Sequence, residues 1–329
     1  MRTPNGKTKR KTEEEEVLRE IRRAFPRSAS GSLRVGMGDD AAVWKPTPGM
    51  ETVLTTDWFL EGSHFLRDKH PADAVGWKCL ARTVSDIAAM GGKPQCFLLS
   101  LALPKELTGQ WLKQFLVGLR RASRALKCEL AGGDTTRREE ILINISVVGE
   151  VAAGKAALRS GARPGDLIYV SGVLGAAESG LRSLRESRGA VRTKGRALRR
   201  HLYPEPRLAL GQWLVGKRLA SSMMDLSDGL STDLKRLCAA SGVGAVIQAE
   251  SLPVAQPGRT GIELALHGGD DYELLFTVTR KNSRFIPKEF RGVPLHLIGE
   301  VQKKKGIVLV LENGERGELQ AGGWDPFRK

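Results

Sequence analysis

Apolar and polar positions along the chain follow two periods, one typical of helices and the other typical of strands. Near the start, apolar residues recur every three or four positions and define one helical face: Val17, Leu18, Ile21, Ala24 and Phe25. This spacing predicts a helix that begins at Glu13 and ends before Pro26. Further helices are predicted over residues 72–90, 108–127 and 175–187.

Short segments rich in β-branched and other apolar residues predict strands. In the first half of the chain they lie at residues 51–56, 95–103 and 141–151. The second half contains five more: residues 166–172, 244–249, 272–279, 294–301 and 306–311. Because strands alternate with helices in both halves, we predict an α/β or α+β fold.

The length of the chain and a segment marked by glycine and proline predict two domains. A chain of 329 residues exceeds the size at which one core usually keeps growing. The segment at residues 160–166 favours a boundary nearby. We assign residues 1–12 to a disordered basic tail, 13–152 to an N-terminal domain and 153–329 to a C-terminal α/β domain. The basic stretch 187–207 is interpreted as a solvated helix or loop face.

Charge and composition limit the classes of function without choosing one. The 52 Lys and Arg against 37 Asp and Glu give a net charge of +15, which favours anionic partners such as phosphorylated small molecules or nucleic acid. No apolar run approaches the roughly 20 residues of a membrane span, and the first residues lack the apolar segment of a secretory signal. The four cysteines form no CxxC pair, so we expect reduced thiols in a cytoplasmic enzyme.

Aspartates recur beside glycines or small polar residues, in segments that are interpreted as loops. The motifs GDD, TTD, SD, GGD, DLSD and GGDD contain nine of them: Asp39, Asp40, Asp57, Asp86, Asp134, Asp225, Asp228, Asp270 and Asp271. A single such aspartate can simply cap a helix or fill a turn. Carboxylates that converge on one cleft need cations, because two charges roughly 4 Å apart repel by about 4 kcal/mol at an effective dielectric of 20.

Hard divalent cations suit such carboxylates. Mg²⁺ prefers oxygen ligands and is often completed by substrate phosphates. Glycines beside the acids let backbone N–H groups approach phosphate oxygens. The pattern therefore predicts nucleotide phosphoryl chemistry, although the usual nucleotide motifs fail. Residues 149–156, GEVAAGKA, carry Ala156 where a P-loop needs a Ser or Thr for Mg²⁺, and no GxGxxG, HExxH or GxSxG motif is found.

Seven motifs occur in one order along the chain: GMGDDAAV, TTDWFLEGSHF, SDIAAMGGKP, GGDTTR, RSGARPGD, DLSDGLSTDL and GGDDYELLFT. Over about residues 30–327 the chain thereby resembles the thiamine-monophosphate kinases, members of the ATP-dependent aminoimidazole-ribonucleotide-synthetase-like superfamily. The resemblance implies the two-domain fold of that superfamily, with an N-terminal sheet that pairs with a second subunit in a homodimer. It also implies ATP-dependent phosphorylation of thiamine monophosphate to thiamine diphosphate, the last step of thiamine diphosphate biosynthesis, with several Mg²⁺ ions.

The resemblance further implies three sets of site residues. The metal ligands would be Asp40, Thr55, Thr56, Asp57, Asp86, Asp134, Asp225 and Asp228. The ATP contacts would be Gly133, Asp134, Arg159 and Ser227. The contacts to the thiamine phosphate would be His64, Asp270 and Trp324. No general base is expected because the acceptor is already a phosphate anion, so positioning and charge neutralisation should dominate.

Two positions depart from the usual family pattern. Asp270 stands where GGEDYEL would place a glutamate and is one methylene shorter, while Trp324 stands where the family often has tyrosine. The alternatives are other enzymes of the superfamily, of the ribonucleotide cyclo-ligase or selenophosphate synthetase type. They would show a GVGTK-like stretch or a reactive cysteine near the N-terminus, whereas this chain has GMGDD and its first cysteine is Cys79.

A more remote alternative is a basic nucleic-acid-binding protein. Such a protein should interleave stacking aromatics with its basic residues, but the arginine-rich stretch 182–207 contains only Tyr203. We therefore expect ATP and thiamine monophosphate as partners, with no membrane and no specific nucleic acid.

Overall fold

The structure is a computed structural model that describes residues 13–26, 32–187 and 195–327. The tail predicted to be disordered, residues 1–12, lies outside these ranges, as does part of the basic stretch 187–207. Up to residue 152 the elements are α1 (Glu13–Ala24), β1 (Leu33–Val35), β2 (Val43–Trp44), β3 (Met50–Leu60), α2 (Ala72–Ala89), β4 (Lys93–Leu103), α3 (Gln110–Leu126), β5 (Glu129–Arg137) and β6 (Leu142–Ala152).

The four long strands of this half form one sheet in the order β3-β6-β4-β5. Only β4 and β5 run parallel; the other pairs are antiparallel. Side chains alternate between the two faces of a strand, and the inner face packs on α2 and α3 in a core that includes Phe59, Ile145 and Leu99. The outer face exposes large apolar side chains, with Leu54 at 72% and Trp58 at 56% of their full accessible surface.

Two glycines allow α2 and α3 to pack closely. A methyl group added at Gly76 would lie 2.0 Å from the carbonyl oxygen of Phe115, and one at Gly118 would lie 1.8 Å from that of Asp73. Such distances are far inside van der Waals contact, so both positions require glycine. The close packing fixes α2, the helix that carries Lys78, Arg82 and Asp86.

The second half contains the elements β7 (Leu167–Ser171), α4 (Ala176–Glu186), α5 (Arg196–Leu202), α6 (Leu208–Gly216), β8 (Ala220–Asp225), α7 (Leu230–Ser241), β9 (Gly244–Gln248), α8 (Arg259–His267), β10 (Leu274–Val278), α9 (Arg280–Ser283), β11 (Glu289–Phe290), β12 (Val293–Gln302), β13 (Gly306–Val310) and β14 (Arg316–Glu318). The sheet follows the order β14-β13-β9-β12-β7-β10-β8, with β11 paired to β12. Strand β8 is an edge strand of this sheet, and Asp225 is its last residue.

Two interpretations of the sequence are wrong. The aspartates of TTD and GGD were expected in loops, but Asp57 lies within β3 and Asp134 within β5, whereas Asp86 lies in α2, as the predicted helix over residues 72–90 implies. Backbone pairing overrides the polar character of these segments, because β3 pairs with β6 along its full length. The basic stretch is not simply a solvated face either, since α5 buries Leu198, His201 and Leu202. Among the described residues, no helix is long and apolar enough to cross a membrane.

Candidate active site

A pocket of about 300 Å³ lies where the two halves of the chain meet. We call it the junction pocket. It brings together five of the predicted site residues: His64, Ser227, Asp228, Asp270 and Trp324. Arg82 of α2 and Tyr272 also line it. Residues far apart in sequence therefore converge on one cleft.

The ring of His64 is neutral and its tautomer is fixed. The backbone N–H of Leu60 donates to His64 Nδ1 at 3.0 Å, which leaves the hydrogen on Nε2. Burial, helped by the charge of Arg82, lowers the pKa of His64 to about 4. The ring centroid lies 6.5 Å from that of Trp324. His64 therefore offers one N–H donor beside an aromatic ring that is 46% exposed.

Asp270 is an ionised carboxylate held on both oxygens. Lys78 Nζ donates to Oδ2 at 2.7 Å and the Tyr272 hydroxyl donates to Oδ1 at 2.7 Å. Burial acts to raise the pKa of Asp270, but Lys78 and the neighbouring His201 and Arg82 outweigh it and hold that pKa well below its usual range. The backbone of Asp270 has φ +68, a left-handed conformation that aspartate tolerates better than most residues.

Behind Asp270 lies a buried polar chain that sequence reasoning missed. Lys78, only 1% exposed, has Nζ 3.2 Å from His201 Nδ1, and His201 Nε2 lies 2.9 Å from His70 Nε2. Burial lowers the pKa of His70 to about 3, and lowers the pKa of His201 well below its ordinary value. Nothing in the local sequence marks these residues, because the two histidines are 131 positions apart.

Three acids, which we call the acid trio, lie next to the junction pocket: Asp57, Asp86 and Asp225. Thr55 Oγ1 donates to Asp86 Oδ2 at 2.5 Å. Burial and the charge of Asp57 raise the pKa of Asp86 to about 6. Burial, with Asp86 as the next contributor, raises the pKa of Asp225 well above its ordinary value. Burial and mutual repulsion therefore disfavour the ionised forms of Asp86 and Asp225.

Two other predicted ligands lie elsewhere. Asp40 and Asp134 line a cavity of about 890 Å³ with Gly133 and Ser146. Through the register of the sheet, Asp134 pairs with Ser100 on the outer face, where Thr56 Oγ1 lies 2.9 Å from Ser146 Oγ. Strands β3 and β5 form opposite edges of the sheet, three strand spacings or about 14 Å apart. One chain thus does not bring Asp134 to the acid trio.

Arg159 lies outside the junction pocket, whereas Ser227 and Asp228 line it and have partners within the protein. Arg159 is exposed after β6, and its charge lowers the pKa of Asp86. Asp228 pairs with Arg236, and the N–H groups of Ser227 and Asp228 donate to Asp233 Oδ2 at 3.1 and 3.0 Å. Across the described residues, no group of three His, Cys, Asp or Glu side chains is already arranged to hold a metal ion.

Comparison with known proteins agrees with this architecture. The family described as AIR synthase related protein, N-terminal domain, matches residues 38–151, and its C-terminal domain matches residues 163–312. The thiamine-monophosphate kinase of Escherichia coli (strain K12) is 37% identical, over 93% of this chain and 97% of that protein. The Bacillus subtilis (strain 168) enzyme is 32% identical over 90% and 94%. The chain belongs to the thiamine-monophosphate kinase family.

Solved structures agree with this family membership. The thiamine-monophosphate kinase from Stenotrophomonas maltophilia K279a superimposes with a TM-score of 0.77 at 33% identity, over 91% of this chain and 96% of that one. AaThiL complexed with AMPPCP and TMP gives 0.75 at 35% identity, over 86% and 89%. A hydrogenase maturation protein HypE in complex with ATP gives 0.77 at 19% identity and shares the fold alone. The predicted family and the predicted α/β fold class are confirmed, whereas the boundary at residues 152–153 stays a prediction.

Proposed function

We propose that the protein transfers the γ-phosphoryl group of ATP to thiamine monophosphate, which yields ADP and thiamine diphosphate. The observation that carries the proposal is the junction pocket itself. It combines an anionic Asp270, an aromatic Trp324 and a hydrogen-bond donor on His64, directly beside the acid trio. Relatives that align with this chain over nearly their whole length are named for the same activity.

The pocket suits a flat cationic ring. The Trp324 indole can stack on such a ring by cation–π attraction. Asp270 stays ionised and supplies the matching negative charge, while its ion pair with Lys78 holds it in place. We therefore assign the thiamine part of the acceptor to Asp270, Trp324 and His64, with its phosphate directed toward the acid trio.

We assign divalent cations to the acid trio, whose side chains would draw together around a bound ion. Buried carboxylates whose pKa values are raised by one another gain most from a cation, and oxygen ligands are those that Mg²⁺ prefers. We propose that Asp57, Asp86 and Asp225 hold Mg²⁺ with Thr55, and that Thr56, Asp40, Asp134 and Asp228 contribute to further ions. Bound Mg²⁺ neutralises phosphate oxygens and stabilises the transferring group.

The chemistry needs no general base. An oxygen of the acceptor phosphate attacks the γ-phosphorus, the bond from that phosphorus to the bridging oxygen of ADP breaks, and ADP leaves with the electron pair. The protein has to align two anions and offset their repulsion, which is the usual demand of phosphoryl transfer. We assign Gly133, Asp134, Arg159 and Ser227 to the binding of ATP.

A coupled assay of ADP formation tests the proposal. The protein is incubated with ATP, Mg²⁺ and one acceptor at a time: thiamine monophosphate, thiamine or formylglycinamidine ribonucleotide. We expect ADP release with thiamine monophosphate only. Activity with the ribonucleotide alone would replace the proposal with the cyclo-ligase alternative.

We also propose a homodimer formed through the outer face of the N-terminal sheet. Leu54, Trp58 and Leu98 expose apolar surface there, which a second copy would cover. In a two-fold dimer the sheets can pack so that β5 of one subunit lies beside β3 of the other. Asp134 of the partner subunit would then lie beside β3, the strand that carries Thr56 and Asp57, which its own chain leaves distant.

Subunit mixing tests this arrangement. Asp57→Asn and Asp134→Asn are each expected to be inactive alone. If each site draws Asp57 and Asp134 from different subunits, refolding the two variants together restores about a quarter of the wild-type activity, because half of the dimers are mixed and each has one intact site. A mixture as inactive as its components contradicts the shared site.

We further propose that the enzyme acts in the cytoplasm. The cysteines Cys79, Cys96, Cys128 and Cys238 are free and buried thiols, which suits a reducing compartment.

A further inference from the structure

Arg82 lies between the acid trio and the ring-binding side of the junction pocket. It is on the same face of α2 as Lys78, one turn further along. On one side its Nη2 lies 3.6 Å from Asp57 Oδ1. On the other side it lines the pocket with His64, Asp270 and Trp324. Its guanidinium also lies over the Phe59 ring, 5.6 Å from the centroid, which fixes its plane.

Most of the hydrogen-bonding capacity of this guanidinium is unused. Within the described residues, Nε and Nη1 of Arg82 are buried and have no hydrogen-bond partner. The approach of Nη2 to Asp57 at 3.6 Å is too long for a hydrogen bond. Buried donors of a charged group are normally satisfied, and the side chain is only 15% exposed. The arrangement thus lacks an acceptor.

The missing acceptor should be a carboxylate, which is planar and offers two oxygens, or a tetrahedral oxyanion such as phosphate. Neighbouring N–H groups of guanidinium match two oxygens of a carboxylate or phosphate, and the charge cannot be lost by deprotonation. Asp57, a member of the acid trio, approaches the guanidinium only to 3.6 Å and does not supply this acceptor. If thiamine monophosphate binds as proposed above, its phosphate must pass from the ring-binding side to the trio, and Arg82 borders that path.

We propose that Arg82 binds the phosphate of the acceptor. Its role is to hold a phosphate oxygen in line with the γ-phosphoryl group and to offset part of the repulsion between the two anionic substrates. The inference rests on the proposed function, and it adds a protein cation to a site otherwise assigned to acids and metal ions. It also gives the site a way to distinguish a phosphorylated acceptor from thiamine itself.

Calorimetric binding of thiamine monophosphate and of thiamine tests the inference, without ATP and in the presence of EDTA. The measured quantity is the ratio of the two dissociation constants. We expect the wild-type protein to prefer thiamine monophosphate, and Arg82→Met to reduce this preference about 10-fold or more, because hydrogen bonds to a charged group are lost. Arg82→Lys keeps the charge but loses the paired N–H donors of the guanidinium. Its ratio should therefore lie between that of the wild-type protein and that of Arg82→Met.

Arg121→Met is the matched control. Arg121 is another guanidinium over aromatic rings, 5.3 Å from the Trp77 centroid and paired with Asp73, but it does not line the junction pocket. Its variant should keep the wild-type preference. If Arg82→Met does not fold, Arg82→Lys carries the test, and a several-fold loss of preference is expected from it.

Two results overturn the inference. An unchanged ratio in the folded Arg82 variants, or an equal loss of affinity for both ligands, would assign Arg82 a purely structural role. Equal affinity of the wild-type protein for both ligands in EDTA would do the same. Either result, with wild-type ADP formation intact, leaves the proposed function standing, whereas absence of ADP formation from thiamine monophosphate overturns both.

Discussion

At the residue scale, the site depends on which charges are compensated and which are not. Asp270 has Lys78 and Tyr272 on its two oxygens, so its charge has a partner and its side chain is held in place. Among the described residues, the Asp86 carboxyl group has Thr55 as its hydrogen-bond partner, and it faces other acids. The proposed roles match this difference, since Asp270 is assigned to the thiamine ring and Asp86 to a metal ion.

Asp57→Asn should abolish ADP formation while the protein stays folded. The amide keeps the size of the side chain but removes the negative charge that a metal ion needs. Steady-state assays with Mg²⁺ and thermal unfolding measure the two effects. Asp68→Asn, an exposed acid outside both cavities, is the control and should keep full activity. Turnover near the wild-type rate in Asp57→Asn would remove this residue from the metal site.

Trp324→Ala should raise KM for thiamine monophosphate and leave KM for ATP nearly unchanged. The indole is 46% exposed into the junction pocket, so its loss removes stacking surface without opening a core cavity. Loss of a cation–π contact of about 1–2 kcal/mol corresponds to roughly 10-fold in KM. Equal changes in both KM values would indicate a wider disturbance of the site.

At the scale of elements, the sequence predicts those with a clear apolar period and misses others: α6, α7 and α8 among the helices, and β5 and β8 among the strands. The predicted helix over residues 72–90 corresponds to α2, which ends at Ala89, because an apolar period and the two glycines that follow are strong local signals. The predicted strand over residues 51–56 is too short. Asp57 interrupts the strand pattern, and only pairing with β6 shows that β3 continues to Leu60.

Gly118→Ala should destabilise the protein although alanine favours helices. The new methyl group would lie 1.8 Å from the Asp73 carbonyl oxygen, so α2 and α3 must move apart. We expect the free energy of unfolding to fall by about 2–3 kcal/mol. This loss exceeds the roughly 1 kcal/mol by which the higher helix propensity of alanine stabilises a helix. Urea denaturation measures the change.

Gly216→Ala in α6 is the control for that variant. Among the described residues, no heavy atom lies within 4 Å of the added methyl group. Its stability should be unchanged or higher by up to about 1 kcal/mol. Similar losses in both variants would mean that the contact between α2 and α3 is not the cause.

At the scale of the whole molecule, the order of motifs predicted the family, and with it the α/β architecture. Spatial relations between distant segments could not be predicted from residues alone. The separation of Asp134 from Asp57 follows from the order of the strands in the sheet, which no local pattern encodes. The contact between His70 and His201 likewise forms only when α5 packs against the N-terminal half.

Buried neutral histidines should make stability depend on pH. The pKa of His70 is lowered to about 3 from an ordinary value of 6.5, so below pH 6.5 the unfolded chain binds a proton that the folded protein does not. The folded state therefore loses stability as the pH falls from 6.5 towards 3. His70→Asn removes this proton. The free energy of unfolding should then change less steeply with pH, by up to about 1.4 kcal/mol per pH unit.

Urea denaturation at pH 7.5, 5.5 and 4.5 measures this difference. The hydrogen bond lost in His70→Asn lowers the free energy of unfolding by an amount that is nearly independent of pH. The buried carboxyl groups change that free energy with pH equally in both proteins. The gap between the wild-type protein and the variant should therefore narrow as the pH falls. A constant gap would show that His70 does not remain neutral in the folded state.

The ion pair between Lys78 and Asp270 joins residues 192 positions apart, which has a consequence for biosynthesis. As the ribosome releases the chain from its N-terminus, the first half can fold while Asp270 is still unmade. Lys78 must then remain hydrated, because an ammonium group without its partner is too costly to bury. Enclosure of that lysine thus waits until Asp270 has been synthesised, and a nascent protein cannot hold its acceptor before then.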